Sequence, residues 1–398
     1  LWHYLRQKND DKGRCCIMTG PWTLYGMPGS LYTAKARSYL RKQGLELVER
    51  IPADPKFSGE ILPAIGRWII PVVQTPDGTI VQDGMEIIDH IEARGAATLS
   101  AYPADPVGKV IALLFELFGG EGLLRPAMHY RWNFDADNLA FLERDFMCGL
   151  NPTASGEDRS RIFAQSSGRM RKAAASFGVN PDTYGAVEAS YLDFLARLDA
   201  HFALYPYLLG DRPTVGDYGL IGPLHAHLSR DPHPSHIMKA RAHNVWRWVE
   251  RMTTRDADDG EFLARDQKPE PALRSATLAA LLAFIAEDYL PEVEAMTRFL
   301  TGWLADKTEA ELTAVPIARG VGRTSFAWRG HELTVGVAPY RMLLLQRVQD
   351  AARSLAPSDS AKLHSLLDPA GLTPLLDLTI PRRVERRQNR EWWAPGVA

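Results

Sequence analysis

The sequence predicts an α/β domain, then an all-helical domain, then a mainly helical extension that contains a β-hairpin. Between residues 21 and 97 short apolar runs and helix-length stretches follow in the order β-α-β-α-β-β-α. Beyond the Pro-rich connector "YPADP" at 102–106 strand signals stop, and apolar residues recur three and four positions apart, as on helices that bury one face. Beyond residue 270 two more helix-like stretches flank an alternating segment. The 398 residues exceed one ordinary core, which fits two or three domains.

A polar leader occupies residues 1–20. "WTLYG" then reads as a short strand and "SLYTAKARSYLRKQG" as a helix closed by Gly44. "LELVERIP" is the next strand. "SGEILPAIGRW" holds a short helix, while "IIPVVQT", the turn "PDG" and "TIVQ" make a strand pair. "DGMEIIDHIEARG" closes the unit as a helix, with Asp83 near its start and Gly95 at its end. This is the chain order of a thioredoxin-like domain, over residues 21–97. Helical spacing over 107–131, 186–208, 215–229 and 236–253 places an all-helical domain at 105–255. Within it Thr214 stands three residues ahead of Asp217, a reciprocal capping arrangement with Asp in place of Glu. The helix it starts is apolar on nearly every side, so it is expected to be central and buried. The polar segment from Thr253 to Pro271 marks a second boundary, and residues 270–398 form the extension. There, helices are expected over 275–305 and 340–356, and "TSFAWRGHELTVGV" turns at Arg329-Gly330 like a hairpin. The basic, aromatic tail "PRRVERRQNREWW" reads as a solvated arm.

Composition narrows the function classes. With 45% apolar residues, 24% charged residues and a net charge of −2, the chain is an ordinary globular protein with no bias toward nucleic acid. No apolar run is long enough to predict a membrane span. The opening "LWHYLRQKNDDKGRCC" carries charges where a signal peptide has its apolar region, and its start at Leu1 reads as a trimmed or incomplete reading frame. Cys15, Cys16 and Cys148 are too few for a disulfide scaffold and fit a reducing compartment; the adjacent pair lacks the spacer of a redox or zinc motif. His225 and His227 fall on different faces of the central helix, His233 and His236 lie in a Pro-rich loop, and no metal site is expected.

The chemistry concentrates in "LYGMPGSLYT" at 24–33, where a strand ends in Gly, Pro and Gly before Ser30 opens a helix. Redox proteins of this architecture start that helix with Cys-x-x-Cys, where free N–H groups and the helix dipole lower a thiol pKa. Here the four residues are Ser30-Leu31-Tyr32-Thr33, so disulfide exchange is excluded. What survives is a donor-rich pocket for the thiolate of another molecule. A free thiol has a pKa of about 8.5, and one hydroxyl bonded to the charged sulfur supplies one to two units of depression, roughly 1.5–3 kcal/mol. Ile70-Pro71 sits where such folds carry a cis-proline that leaves backbone groups of the preceding residue for a peptide ligand. Asp83-Gly84 opens the last helix of the unit, where N–H groups suit a carboxylate and Asp83 an ammonium. Together they describe a receptor for a small zwitterionic thiol peptide, with glutathione the foremost candidate.

Over about residues 20–255 the sequence resembles the glutathione transferases, through "LYGMPGSLYTAKAR", "IIPVV" with "IVQDGMEIIDHIE", and "PTVGDYGLIGPL". The resemblance implies a serine-type member, with Ser30 activating the glutathione thiol and Tyr32 two positions on. It maps Ile70, before cis-Pro71, onto the contact to the cysteinyl backbone, and Asp83-Gly84 onto the acid-serine pair that holds the γ-glutamyl end. Gly84 departs from that pattern, since the serine hydroxyl is missing. Arg67 is a candidate replacement contact. Tyr25, near the end of the first strand, is the second catalytic candidate, ranked below Ser30. The resemblance also implies a cytoplasmic homodimer that works in detoxification on an apolar electrophile. The length and the extension are similar to a group of long bacterial members. "MHYRWNF" offers Met128 to Trp132 to the border of the electrophile pocket, although aromatic residues at this spacing are more often core. Gly119, Gly120 and Gly122 mark either a bend or a helix break. Gly84 and the extension also motivate the alternative: a non-catalytic binding protein of the same fold with a degraded thiol site.

Overall fold

The computed structural model describes residues 20–256, 258–262 and 270–395; Cys15, Cys16 and the rest of the leader up to residue 19 lie outside the described residues. β1 (Trp22–Tyr25) leads into α1 (Leu31–Lys42) and back to β2 (Leu47–Arg50), parallel to β1. A π turn over Phe57–Ile61 and the single turn α2 (Leu62–Ile65) pass through left-handed Gly66 into β3 (Val72–Gln74) and β4 (Ile80–Gln82), both antiparallel additions. The sheet order is β2-β1-β3-β4, and α3 (Gly84–Ala93) completes this thioredoxin-like unit. Strand alternation decides which residue enters which layer. Trp22, Leu24 and Val73 face α1 and α3, with Tyr39, Leu40, Ile87, Ile88 and Ile91. Tyr25 and Val72 face the other way, onto Phe57, Ile61 and Ile65.

The all-helical part begins at α4 (Pro106–Leu117), capped by Asp105, and continues through a π turn over Phe118–Gly122 into α5 (Leu124–Trp132). Gly119 is required by close approach: a Cβ there would lie 2.5 Å from the backbone nitrogen of Leu220. Then follow α6 (Asp135–Leu150), α7 (Gly156–Ala174), α8 (Tyr184–Phe202), α9 (Val215–Ala226), α10 (Pro232–Arg241) and α11 (His243–Thr253). α9 is central and buried, as its composition predicts. The fully buried Asp217 carboxylate takes the Thr214 N–H at 2.8 Å and O–H at 2.9 Å, the Leu208 N–H at 2.9 Å and the Trp248 indole at 3.1 Å. Each bond satisfies a buried polar group that would otherwise be costly.

The extension holds α12 (Ala276–Asp288), α13 (Leu290–Ala305), α14 (Glu309–Thr313), the hairpin β5 (Gly322–Trp328) and β6 (His331–Val337), then α15 (Tyr340–Arg353), α16 (Pro357–Leu367), and β7 (Val384–Arg387) with β8 (Arg390–Trp393). The β5–β6 turn falls at Arg329-Gly330, both with positive φ, as the sequence predicts. The tail is not a solvated arm. It is a second hairpin, with positive φ at Gln388 and Asn389 and with Val384 and Trp393 buried. The side chain of Gln346 in α15 bonds both backbone groups of Val384, at 2.9 and 3.0 Å. The arginines of the tail find partners distant in sequence: Arg382 pairs with Glu309, Arg383 with Asp350 and Arg390 with the Gly66 carbonyl. α15 lies along α4, and its Tyr340 and Arg347 reach Asp83 and Asp89 of the first unit. No described helix is long and apolar enough to cross a membrane.

Candidate functional site

Strand register assembles the site. Tyr25 pairs with Val72 and Val72 with Gln82, so the residues just past these positions meet at one end of the sheet. Asp83 N–H donates to the Pro71 carbonyl at 3.2 Å, and Ile70-Pro71 is cis. A Cβ on Gly26 would lie 2.2 Å from Thr33 Cγ2, so the first turn of α1 rests directly on the end of β1. A Cβ on Gly84 would lie 3.5 Å from the Tyr32 carbonyl oxygen, which puts the start of α3 beside it. Ser30, Tyr32, Ile70, Pro71, Asp83 and Gly84 are therefore brought together. Ile70 N–H and C=O have no hydrogen-bond partner among the described residues.

Ser30 is the N-cap of α1. Its Oγ accepts from Thr33 N–H at 3.2 Å, which leaves the hydroxyl proton to donate outward. Three bonds hold the preceding loop: Ser30 N–H to the Met27 carbonyl at 3.2 Å, Arg37 to the same carbonyl at 3.3 Å, and Arg131 Nη1 to the Gly29 carbonyl at 3.0 Å. Thr33 Oγ1 is buried with no partner among the described residues. The Tyr25 ring is buried at 5.8 Å from Phe57 on the opposite side of the sheet. Burial first, then the charges of Asp54 and Glu60, raise its pKa. The Tyr32 ring is 37% exposed, while its hydroxyl donates to Glu121 Oε1 at 3.4 Å.

Arg67 is not solvated. It gives Nη1 to Glu391 Oε2 at 2.8 Å and Nη2 to Glu391 Oε1 at 3.1 Å, and Nη2 also reaches Gln82 Oε1 at 2.9 Å. Arg386 joins the same carboxylate at 2.5 Å and reaches the Gln82 carbonyl at 3.0 Å. Burial works to raise the pKa of Glu391, but the Arg67 bonds and the charge of Arg386 overcome it and hold the group below its ordinary value. A depressed carboxylate contributes stability above its unfolded pKa, and that stability is lost as pH falls through the folded one. Glu391→Gln is therefore expected to loosen the β7–β8 hairpin at neutral pH by about 1.5–3 kcal/mol, the value of bonds to a charged group. Amide exchange over 384–393 reads it: protection drops at pH 7 in the variant, whereas the parent loses it only in acid.

Asp83 has φ 95°, outside the usual range for a non-glycine residue, and caps α3 by accepting Met85 N–H at Oδ1, 2.8 Å. The same Oδ1 accepts the Tyr340 hydroxyl at 3.0 Å, while Oδ2 takes no bond from a described residue. The absence of a side chain at 84 has a packing reason. A Cβ there would press on Lys35 Cδ at 3.2 Å, and the Lys35 stem crosses this spot to pair with buried Glu116.

The sequence reading missed the residues that the extension brings here: Tyr340, Arg386, Glu391 and Arg341. Arg341 Nε donates to Glu121 Oε2 at 3.0 Å and its Nη1 pairs with Glu292, which also pairs with Arg125; none of these side chains is more than 5% exposed. The signal was in "LLFELFGGEGLL", where two glutamates interrupt an apolar run and each demands a buried partner. The "MHYRW" residues are core. Met128 and Trp132 pack with Leu142, Met147 and Phe163, and His129 bonds Glu188 at 3.0 Å.

Residues 24–98 match the family described as glutathione S-transferase, N-terminal domain, and residues 181–251 match glutathione S-transferase, C-terminal domain. No curated protein matches the chain. Among solved structures, the chain is similar to a glutathione transferase of Phanerochaete chrysosporium, with 18% identity and TM-score 0.42 over 60% of this chain and 99% of that one. A beta-etherase of Sphingobium sp. strain SYK-6 aligns with 17% identity and TM-score 0.44 over 61% and 98%. A glutathione S-transferase of Methylobacterium radiotolerans, in complex with glutathione sulfonate, aligns with 21% identity and TM-score 0.34 over 58% and 90%.

Proposed function

We propose, for a chain that belongs to the glutathione S-transferase family through these two domains, that the sheet end around Ser30 binds glutathione and activates its thiol. The thiolate then attacks a small apolar electrophile: an S–C bond forms, the leaving group departs with the bonding pair, and the thiol proton goes to solvent. The observation that carries this reading is the Ser30 hydroxyl, which accepts a backbone bond and still has its proton for a sulfur at the N-terminus of α1. Ile70 would pair with the cysteinyl backbone, beside Pro71. Asp83 would take the γ-glutamyl ammonium through Oδ2, with Gly84 N–H toward the carboxylate and the Tyr32 ring flanking the entrance. Arg67, committed to Glu391, is left out of the contacts. Tyr25 on the far face of the sheet is a poor catalytic candidate. A cytoplasmic homodimer active in detoxification is the accompanying expectation from the family.

The test compares Ser30→Gly and Tyr25→Phe with the parent in a thiolate absorbance titration of bound glutathione. Glycine costs only a few tenths of a kcal/mol at an N-cap, about the smallest perturbation that removes the hydroxyl. Ser30→Gly is expected to raise the bound thiol pKa by about one to two units, with kcat/KM at pH 7 down roughly tenfold or more. A rise only in Tyr25→Phe reverses the assignment.

A second reading has its own observation. Extension residues already bond Arg67, Gln82 and Asp83, as in a protein that keeps the fold and has closed its ligand site. Calorimetry discriminates, because this non-catalytic reading predicts no heat of binding at millimolar glutathione.

A further inference from the structure

We propose that the C-terminal extension is one wall of the glutathione subsite and that Tyr340, at the start of α15, is a positioning residue for Asp83. This rests on the glutathione reading above and adds a residue from outside both matched domains.

The segment that carries Asp83 is held from the extension at two points. Arg386 bonds the Gln82 carbonyl at 3.0 Å and its side-chain oxygen at 2.9 Å, which fixes the end of β4. One residue on, the Tyr340 hydroxyl donates to Asp83 Oδ1 at 3.0 Å. Asp83 needs such support, since its positive φ is a conformation that surrounding contacts must maintain. With Met85 N–H and Tyr340 both on Oδ1, the carboxylate rotation is set and Oδ2 is the oxygen left for a ligand. Asp83 is 9% exposed, so the ligand group that reaches it is a small donor. A cationic donor matches a carboxylate best, which assigns this corner to the ammonium of a γ-glutamyl group. Tyr340 then acts through Asp83 on one end of the peptide and leaves the sulfur end alone. The same bond accounts for how a helix start with glycine at 84 still offers an oriented anchor.

The experiment is calorimetric binding of two probes to the parent and to Tyr340→Phe: glutathione, and the des-amino analogue glutaryl-cysteinylglycine, which lacks only the ammonium. Phenylalanine keeps the ring packing and removes one hydroxyl. The expected result is about tenfold weaker glutathione binding in Tyr340→Phe, with analogue binding unchanged. Unchanged analogue binding also shows that the variant is folded. Equal losses for both probes would mean a merely structural role and overturn the proposal, as would unchanged glutathione binding. Failure of the parent to bind either probe would instead overturn the glutathione reading, and this inference with it.

Discussion

Arg341→Ala is expected to destabilise the protein by about 3–5 kcal/mol, because it leaves Glu121 buried without its cation and Glu292 with Arg125 alone. The Arg341 side chain is 3% exposed, and water does not replace what it supplies. Burial already pushes the Glu121 pKa above its ordinary value, only partly offset by the Arg341 charge. The sign of the pH dependence follows. A carboxyl whose folded pKa is raised contributes its stability below the unfolded value and loses it as pH rises through the folded one. Without Arg341 that rise grows, so the deficit of the variant is expected to be largest at neutral pH and to shrink toward pH 5. Urea midpoints across this range measure it. The double variant Arg341→Met, Glu121→Gln removes the cation together with the carboxylate that depends on it, while Glu292 keeps Arg125, and is expected to recover most of the loss. A single-variant loss below about 1 kcal/mol at pH 7 would show that the Glu121 carboxylate reaches solvent. Because Glu121 also accepts the Tyr32 hydroxyl, the same variant reports whether this network steadies the mouth of the proposed thiol site.

What the sequence made legible was local in cause. Alternation and turn residues are enough for β1 to β4, for the Arg329-Gly330 hairpin and for the convergence of Ser30, Pro71 and Asp83, because strand register follows from the pattern itself. The Thr214 and Asp217 pair is readable for the same reason: partner and cap lie three residues apart. α6 and α7 had no such signature. In α7 only Phe163, Ser166, Ser167 and Ala174 are buried, and a helix polar on most of its surface lacks the periodic stripe that identifies it.

The extension was misread where its partners were remote. A basic run such as "PRRVERRQNREWW" looks solvated until Glu309, Asp350 and the Gly66 carbonyl are placed beside it, and nothing local predicts those meetings. Arg67 was legible as a candidate for an anion, and it does hold a carboxylate, but one that the chain itself provides 324 positions away. Gly84 looked like a loss of function in the sequence. In the fold a Cβ there would press on the Lys35 stem that pairs with Glu116.

Arg131→Met should combine a large stability loss with a defect at the site. Arg131 gives two bonds of 2.7 Å to Asp231, which is fully buried, and its Nη1 bonds the Gly29 carbonyl one residue ahead of Ser30. Burial pushes the Asp231 pKa up and the Arg131 charge opposes that rise, so removing the arginine strands an acid in the core. The expected cost is about 3–5 kcal/mol. Adding Asp231→Asn neutralises the stranded charge and is expected to recover much of that stability, but it cannot give the Gly29 carbonyl its donor back. The double variant therefore separates two roles. If the loop needs Arg131 to hold Ser30 in place, the bound thiol pKa stays raised in the double variant although its melting temperature recovers. Recovery of both would mean that the Met27 carbonyl, with its bonds from Ser30 and Arg37, fixes the cap without help from α5.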